Sequence, residues 1–323
     1  MIAEPSARPP RRHRWVWAVV LTSAAILAAL GSYVGWPSST RDSLSRARLW
    51  TLGVRDGTAR VGPYKVHYLA AGSGHPIILL HGLAGQGLQW GDYIPLLAKD
   101  GRVYAPDLLG FGRSDRPDVD YSTPLQTEVL REFMDSQGIG RADLVGSSMG
   151  GWIAANFARL HPDRVRRLVL ANAVGVGFDP ATPEPFVPRS AAELPRLMDL
   201  LTPRASKVPG IIASGIVREM QPLVPVVERH LQNRRRGIGA LDGQLGGLTM
   251  PVLLLWGAED RVAPLAVASE FQREIPHSRL VILENCGHIA AYDCRSHAQP
   301  EIRSFLTAVQ PEQGGVRSVT VPR

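Results

Sequence analysis

The sequence predicts an α/β fold built on a mostly parallel sheet, and three features of the pattern carry that prediction. From Lys65 onward short apolar runs alternate with longer amphipathic ones, the rhythm of strands joined by crossover helices. Several runs are continuously apolar, such as Ile77-Ile78-Leu79-Leu80 and Val252-Leu253-Leu254-Leu255-Trp256, as suits strands buried on both faces. The chain has 323 residues, 45% hydrophobic and 20% charged. That is enough to bury a large core, and too polar for a polytopic membrane protein.

The first 60 residues stand apart from this pattern. Residues 1–14 are basic, with Arg8, Arg11, Arg12 and Arg14, and the 22 residues from Trp15 to Trp36 carry no charge. Since roughly 20 apolar residues cross a bilayer as a helix, residues 15–36 are expected to form a transmembrane anchor. Trp15, Trp17, Tyr33 and Trp36 sit where interfacial aromatic residues belong. A cleaved signal peptide is the alternative, but the run exceeds an h-region of about 7–15 residues. The arginines nearest the span precede it, which places the N-terminus inside and the folded domain outside the membrane. Residues 37–60 read as a juxtamembrane linker with room for a short helix.

Beyond the linker, strands are expected at Val66–Ala70, Ile77–Leu80, Val103–Pro106, Leu144–Gly146, Leu168–Ala171, Val252–Trp256 and Leu280–Leu283. Helices are expected around Gln86–Lys99, Pro124–Gln137, Met149–Leu160, Pro264–Ile275 and Ser296–Val309. These elements divide into core segments 61–175 and 247–310. Residues 176–246 break the rhythm with nine prolines and the helix-like pieces Ala191–Leu201 and Val224–Gln232, as an inserted helical lid would. Residues 311–323 lack apolar periodicity and read as a loose tail.

Charge separates the same parts. Residues 1–60 hold nine arginines against Glu4, Asp42 and Asp56, so most of the formal net charge of +7 flanks the apolar run. A charge placed there suits anionic lipid and gives no reason to expect a nucleic-acid partner. Cys286 and Cys294 are the two cysteines, too few for a disulfide scaffold or a tetrahedral zinc site. They are expected as two separate buried thiols, with a bridge across eight residues as the alternative.

The chemistry begins at Gly146-Ser147-Ser148-Met149-Gly150-Gly151, which follows an expected strand and opens an expected helix. That is the context of a nucleophile elbow: a strained turn exposes a serine hydroxyl at a helix N-terminus, where backbone N–H groups favour developing negative charge. A hydroxyl needs a base, and histidine has a suitable pKa. Of nine histidines, His288 follows the last expected strand in Asn285-Cys286-Gly287-His288, where parallel sheets carry functional loops. The base needs a carboxylate to orient it. Asp260 at the end of Leu253–Trp256 is the candidate, with Glu259 next and Asp242 and Asp293 more distant. An oxyanion hole would use the backbone N–H groups of Met149 and of Leu83, the latter after His81-Gly82. His81 is then structural. The chemistry calls for no metal and no organic cofactor.

Taken with Asp107-Leu108-Leu109-Gly110-Phe111-Gly112-Arg113-Ser114-Asp115, these segments resemble the α/β-hydrolase-fold serine hydrolases from about Tyr64 to Val309. The resemblance implies a Ser148, Asp260, His288 triad in that chain order, a lid at the insertion, and a pocket-shaping role for Asp107–Asp115. Serine at the elbow argues against the members that use aspartate there. The N-terminal span, Ser148-Met149-Gly150-Gly151, Ala192-Glu193-Leu194-Pro195 and Leu283-Glu284-Asn285-Cys286-Gly287-His288 are similar to membrane-anchored monoacylglycerol lipases and carboxylesterases. That likeness implies hydrolysis of an amphiphilic carboxylic ester. A C–C bond hydrolase of the meta-cleavage-product type shares the elbow, and a non-catalytic binding protein on the same fold is the alternative of another class.

Overall fold

The computed structural model describes residues 22, 31, 32, 34–178, 184 and 186–322. The expected basic segment 1–14 and most of the expected span 15–36 lie outside the described residues. Among the described residues no helix is long and apolar enough to cross a membrane.

Helix α1 (Pro37–Thr51) leads into a hairpin of β1 (Arg55–Val61) and β2 (Tyr64–Ala71). There follow β3 (Pro76–Leu80), α2 (Ile94–Leu97), β4 (Arg102–Pro106), α3 (Thr123–Ser136), β5 (Ala142–Ser147), α4 (Met149–Leu160) and β6 (Val165–Ala171). The insertion holds α5 (Leu194–Leu201), α6 (Gly210–Met220) and α7 (Val224–Arg235). The chain then closes with β7 (Val252–Gly257), α8 (Leu265–Glu274), β8 (Arg279–Leu283), α9 (Ala290–Asp293), α10 (Arg295–Thr307) and β9 (Val316–Val319).

The strands form one sheet in the order β1-β2-β4-β3-β5-β6-β7-β8-β9. Only β1–β2 and β2–β4 are antiparallel; every other pair is parallel. Side chains alternate between two apolar layers: Ile78, Leu80 and Leu254 join one, and Ile77, Leu79 and Leu255 the other. All six residues of β5 and of β7 are buried, as continuous apolar runs require when helices cover both faces. Each buried Val or Leu side chain among them contributes about 1.5–3 kcal/mol. The cap keeps a small core of its own, Leu194, Ala213 and Val217.

Four expectations change. The linker 37–60 contains a fifteen-residue helix, α1, and most of the edge strand β1, whose residues are largely exposed. The tail 311–323 is not loose throughout: β9 pairs with β8 through Leu280↔Val316 to Leu283↔Val319, and Val321 is buried. Both strands are held by ladder hydrogen bonds more than by burial, so they carry no apolar signature. The helix expected over Gln86–Lys99 is split into a 3-10 turn at Gly87–Trp90 and α2, which begins at Ile94-Pro95, where proline suits a helix start. Cys286 and Cys294 are not separate thiols but a disulfide, because α9 turns the chain back and brings their Cα atoms to 6.3 Å.

Helix α1 also packs on the cap helix α6. The Glu219 carboxylate accepts hydrogen bonds from the backbone N–H groups of Ser38 and Ser39, each at 2.8 Å. The Arg218 guanidinium stands 5.7 Å from the Trp36 ring centroid.

Candidate active site

The β5–α4 connection is the tight turn the sequence leads one to expect. Ser148 adopts φ 53° and ψ −118°, a left-handed region that costs a non-glycine residue about 1–3 kcal/mol. Gly146 and Gly150, two residues to either side, permit the turn because they lack side chains: a Cβ on Gly150 would run into the carbonyl oxygens of Leu80 and His81. Ser148 N–H is tied to the Ala171 carbonyl at 2.9 Å, so the hydroxyl is presented from a fixed backbone. Only 9% of Ser148 is exposed.

The hydroxyl donates to His288 Nε2 at 2.7 Å. His288 Nδ1–H donates to Asp260 Oδ2 at 2.9 Å, with Oδ1 at 3.1 Å. These partners select the tautomer in which Nε2 is free to accept a proton. Asp260 is itself immobilised: Oδ1 accepts from the N–H groups of Val262 and Ala263, both at 2.8 Å, and Oδ2 from Asn172 Nδ2 at 2.7 Å. Of the other acids considered, Glu259 sends its backbone N–H to the Cys286 carbonyl, Asp242 accepts from Gly177 N–H, and Asp293 pairs with the Thr202 hydroxyl. The structure therefore brings together Ser148, His288 and Asp260. It adds Asn172, which sequence reasoning missed. The available signal was an asparagine just past the C-terminal end of a parallel strand.

The residues expected to supply the oxyanion donors follow the serine in the chain and Gly82 in the neighbouring loop. Met149 is the first residue of α4, and the loop after β3 lies so close that a Cβ on Gly82 would be 3.3 Å from Ser148 Cβ. His81 is structural: Nδ1–H donates to the Gly82 carbonyl at 2.8 Å and Nε2 accepts from Leu108 N–H at 2.9 Å. Complete burial lowers its pKa, and the Nε2 that accepts from Leu108 N–H carries no proton. Asp107 holds the far end of the same loop, accepting from Gly87 N–H at 2.6 Å. Burial alone would raise the Asp107 pKa, but hydrogen bonds from His67 and from Arg113 N–H bring it below the ordinary value.

His230 is buried in α7 against Trp152, with ring centroids 5.8 Å apart. Its Nδ1–H donates to the Tyr121 carbonyl at 3.2 Å. A cavity of about 460 Å³ opens beside α7, lined by Phe186, Val187, Val224, Val227 and Leu231 among others, and none of the triad residues lines it.

Such a constellation can deprotonate a serine and stabilise a tetrahedral oxyanion, which is the chemistry of acyl transfer. The model of the α/β-hydrolase-fold family matches residues 75–202 and 224–293. The chain is an α/β hydrolase. Helices α1 and α6 lie outside those matched residues. Among curated relatives, this hydrolase is 32% identical over 237 residues to a 2-hydroxymuconate semialdehyde hydrolase of Pseudomonas sp. strain CF600, covering 68% of this chain and 82% of that one. Among solved structures it resembles a membrane phospholipase A, with a TM-score of 0.77 and 26% identity over 91% of this chain and 98% of that one. It also resembles a meta-cleavage product hydrolase from Pseudomonas fluorescens IP01, with a TM-score of 0.69 and 29% identity over 77% of this chain and 97% of that one.

Proposed function

We propose that this hydrolase is a membrane-tethered serine esterase cleaving amphiphilic carboxylic esters, of monoacylglycerol or short- to medium-chain type. The observation that carries the reading is the packing of α1 on α6. Helix α1 continues the chain from the apolar run 15–36, so a bilayer holding that run would hold the cap at its surface, where amphiphilic substrates lie. The likeness to the membrane phospholipase A supports the same reading.

In this mechanism His288 Nε2 takes the hydroxyl proton as Ser148 Oγ attacks the ester carbonyl carbon. The N–H groups of Leu83 and Met149 hold the oxyanion, while Asp260 holds the imidazolium. The intermediate collapses when His288 returns the proton to the leaving alcohol, and an acyl-enzyme remains. Water, deprotonated by His288, then attacks the acyl carbon and releases the acid and Ser148. The route uses no metal or organic cofactor. The Cys286–Cys294 disulfide supports a catalytic domain outside the cytoplasm, since such bonds persist in oxidising compartments.

The hydroxymuconate semialdehyde hydrolase relative supports a second reading, cleavage of a C–C bond next to a ketone by the same residues. Turnover of a chain-length series of p-nitrophenyl esters and monoacylglycerols, beside a ring-cleavage product, decides between them. Ester turnover that Ser148→Ala abolishes is the expected result. Turnover of the ring-cleavage product alone overturns the ester reading, and failure of a fluorophosphonate to label Ser148 would turn the reading to a non-catalytic binding protein.

A further inference from the structure

Helix α1 meets the hydrolase at three points, and two of them belong to parts that shape the site. At its N-terminal end, besides the two backbone N–H groups, the Ser39 hydroxyl donates to Glu219 of α6, and Arg218 of α6 donates to the Gly35 carbonyl. The fit leaves no spare room: a Cβ on Gly215 would lie 2.7 Å from Pro37 Cδ and 3.0 Å from the Val34 carbonyl oxygen. One turn further on, Asp42 accepts from Gln86 Nε2. Gln86 lies three residues after Leu83, in a loop whose Ala84 has φ 57° and whose Gly85 N–H closes on the Gly82 carbonyl at 3.0 Å. That loop is therefore gripped from two sides, by Asp107 at Gly87 and by Asp42 at Gln86. At the C-terminal end Leu49 is 2% exposed and Arg48 pairs with Asp92 at 2.9 Å, which fixes the helix to the body.

We propose that α1 is a strap that sets the cap and the oxyanion loop together, with Glu219 and Asp42 as its positioning residues. The inference deepens the esterase reading, on which its kinetic consequence rests. A 15-residue helix is rigid enough to transmit a displacement from one end to its middle. Movement of the membrane-proximal end would then shift α6 and relax the loop bearing Leu83 N–H in one motion. Both partners of the contact, α1 and α6, fall outside the segments that the family model matches. Glu219 is suited to the role: burial would raise its pKa, yet the hydrogen bonds from Ser39 and Ser38 bring it below the ordinary value, so it is ionised where it grips the helix.

The test uses the full chain in detergent micelles, with Glu219→Ala and Asp42→Asn made separately and hydrogen–deuterium exchange read at both ends. The strap requires action at a distance. Glu219→Ala raises exchange over residues 84–90 as well as 210–220, and Asp42→Asn raises it over 210–220 as well as 84–90, while β5 and β7 keep wild-type protection. On a soluble p-nitrophenyl ester, Asp42→Asn lowers kcat by about fivefold with KM nearly unchanged, the size expected when a hydrogen bond to a charged group becomes one to a neutral group. Exchange changes confined to the mutated end overturn the proposal, as does wild-type exchange in both variants. A wild-type protein that neither hydrolyses esters nor labels with a fluorophosphonate defeats the esterase reading instead, and the exchange arm still decides the strap.

Discussion

Asn172 Nδ2 lies 2.7 Å from Asp260 Oδ2, although the two residues end different strands. Asn172 follows the last residue of β6, with φ 48°, and also reaches the Gly287 carbonyl at 3.3 Å. One amide thus ties together the loop that holds the carboxylate and the loop that holds His288. Asparagine tolerates the left-handed conformation better than most side chains, because its short amide bonds locally. Without it Asp260 Oδ2 would face His288 alone, and the imidazole would lose part of what fixes its plane.

Asn172→Ala is therefore expected to lower kcat for a p-nitrophenyl ester about tenfold, near 1.4 kcal/mol, with KM nearly unchanged. The split follows because Asn172 acts on the base and not on the bound ester. Steady-state kinetics, with a thermal melt to confirm folding, makes the check. A kcat within twofold of wild type would remove Asn172 from the site.

Ser148, Asp260 and His288 could be picked out because each sits just beyond an apolar strand, and the parallel sheet carries all three strand ends to one edge. Asn172 occupies an equivalent place but carries no such distinction, since asparagine is common wherever a chain turns. Leu49 and Gln86 show where the pattern stops. Nothing near either residue announces that a polar helix at 37–51 returns to cover the loop after β3. Strands β2 to β8 follow from their apolar runs, whereas β1 and β9 lie at the sheet margins and lack them. The disulfide depended on the turn made by α9, which a spacing of eight residues does not encode.

His230 makes stability depend on pH. Burial pushes its pKa down to about 4, below the ordinary value near 6.5. The unfolded chain therefore binds more protons than the folded one between about pH 6.5 and 4. Stability from a neutral His230 is complete above the unfolded value and is lost as pH falls toward the folded one. At pH 5 the loss is about 2 kcal/mol relative to neutral pH. His230→Gln, which keeps a donor for the Tyr121 carbonyl, removes this dependence. Urea unfolding of both proteins at pH 7 and pH 5 should show the gap between them narrowing by that amount. Parallel pH dependence in the two would show that His230 does not titrate as described.

The Cys286–Cys294 bridge encloses His288 between its two ends, so it acts on the base as well as on the fold. For a loop of this length the entropy of the unfolded chain sets its contribution at about 2.5 kcal/mol. A dithiol such as dithiothreitol would convert the bridge to two thiols and itself become oxidised, and the Cys286→Ala/Cys294→Ala variant should reproduce the reduced state. In both cases the urea unfolding midpoint should fall, and kcat should drop in the absence of urea while KM holds. A merely structural bridge would move the midpoint and leave kcat alone. Urea unfolding and ester kinetics with and without reductant separate the two outcomes: unchanged kcat would confine the disulfide to stability, and an unchanged midpoint would remove its role in stability.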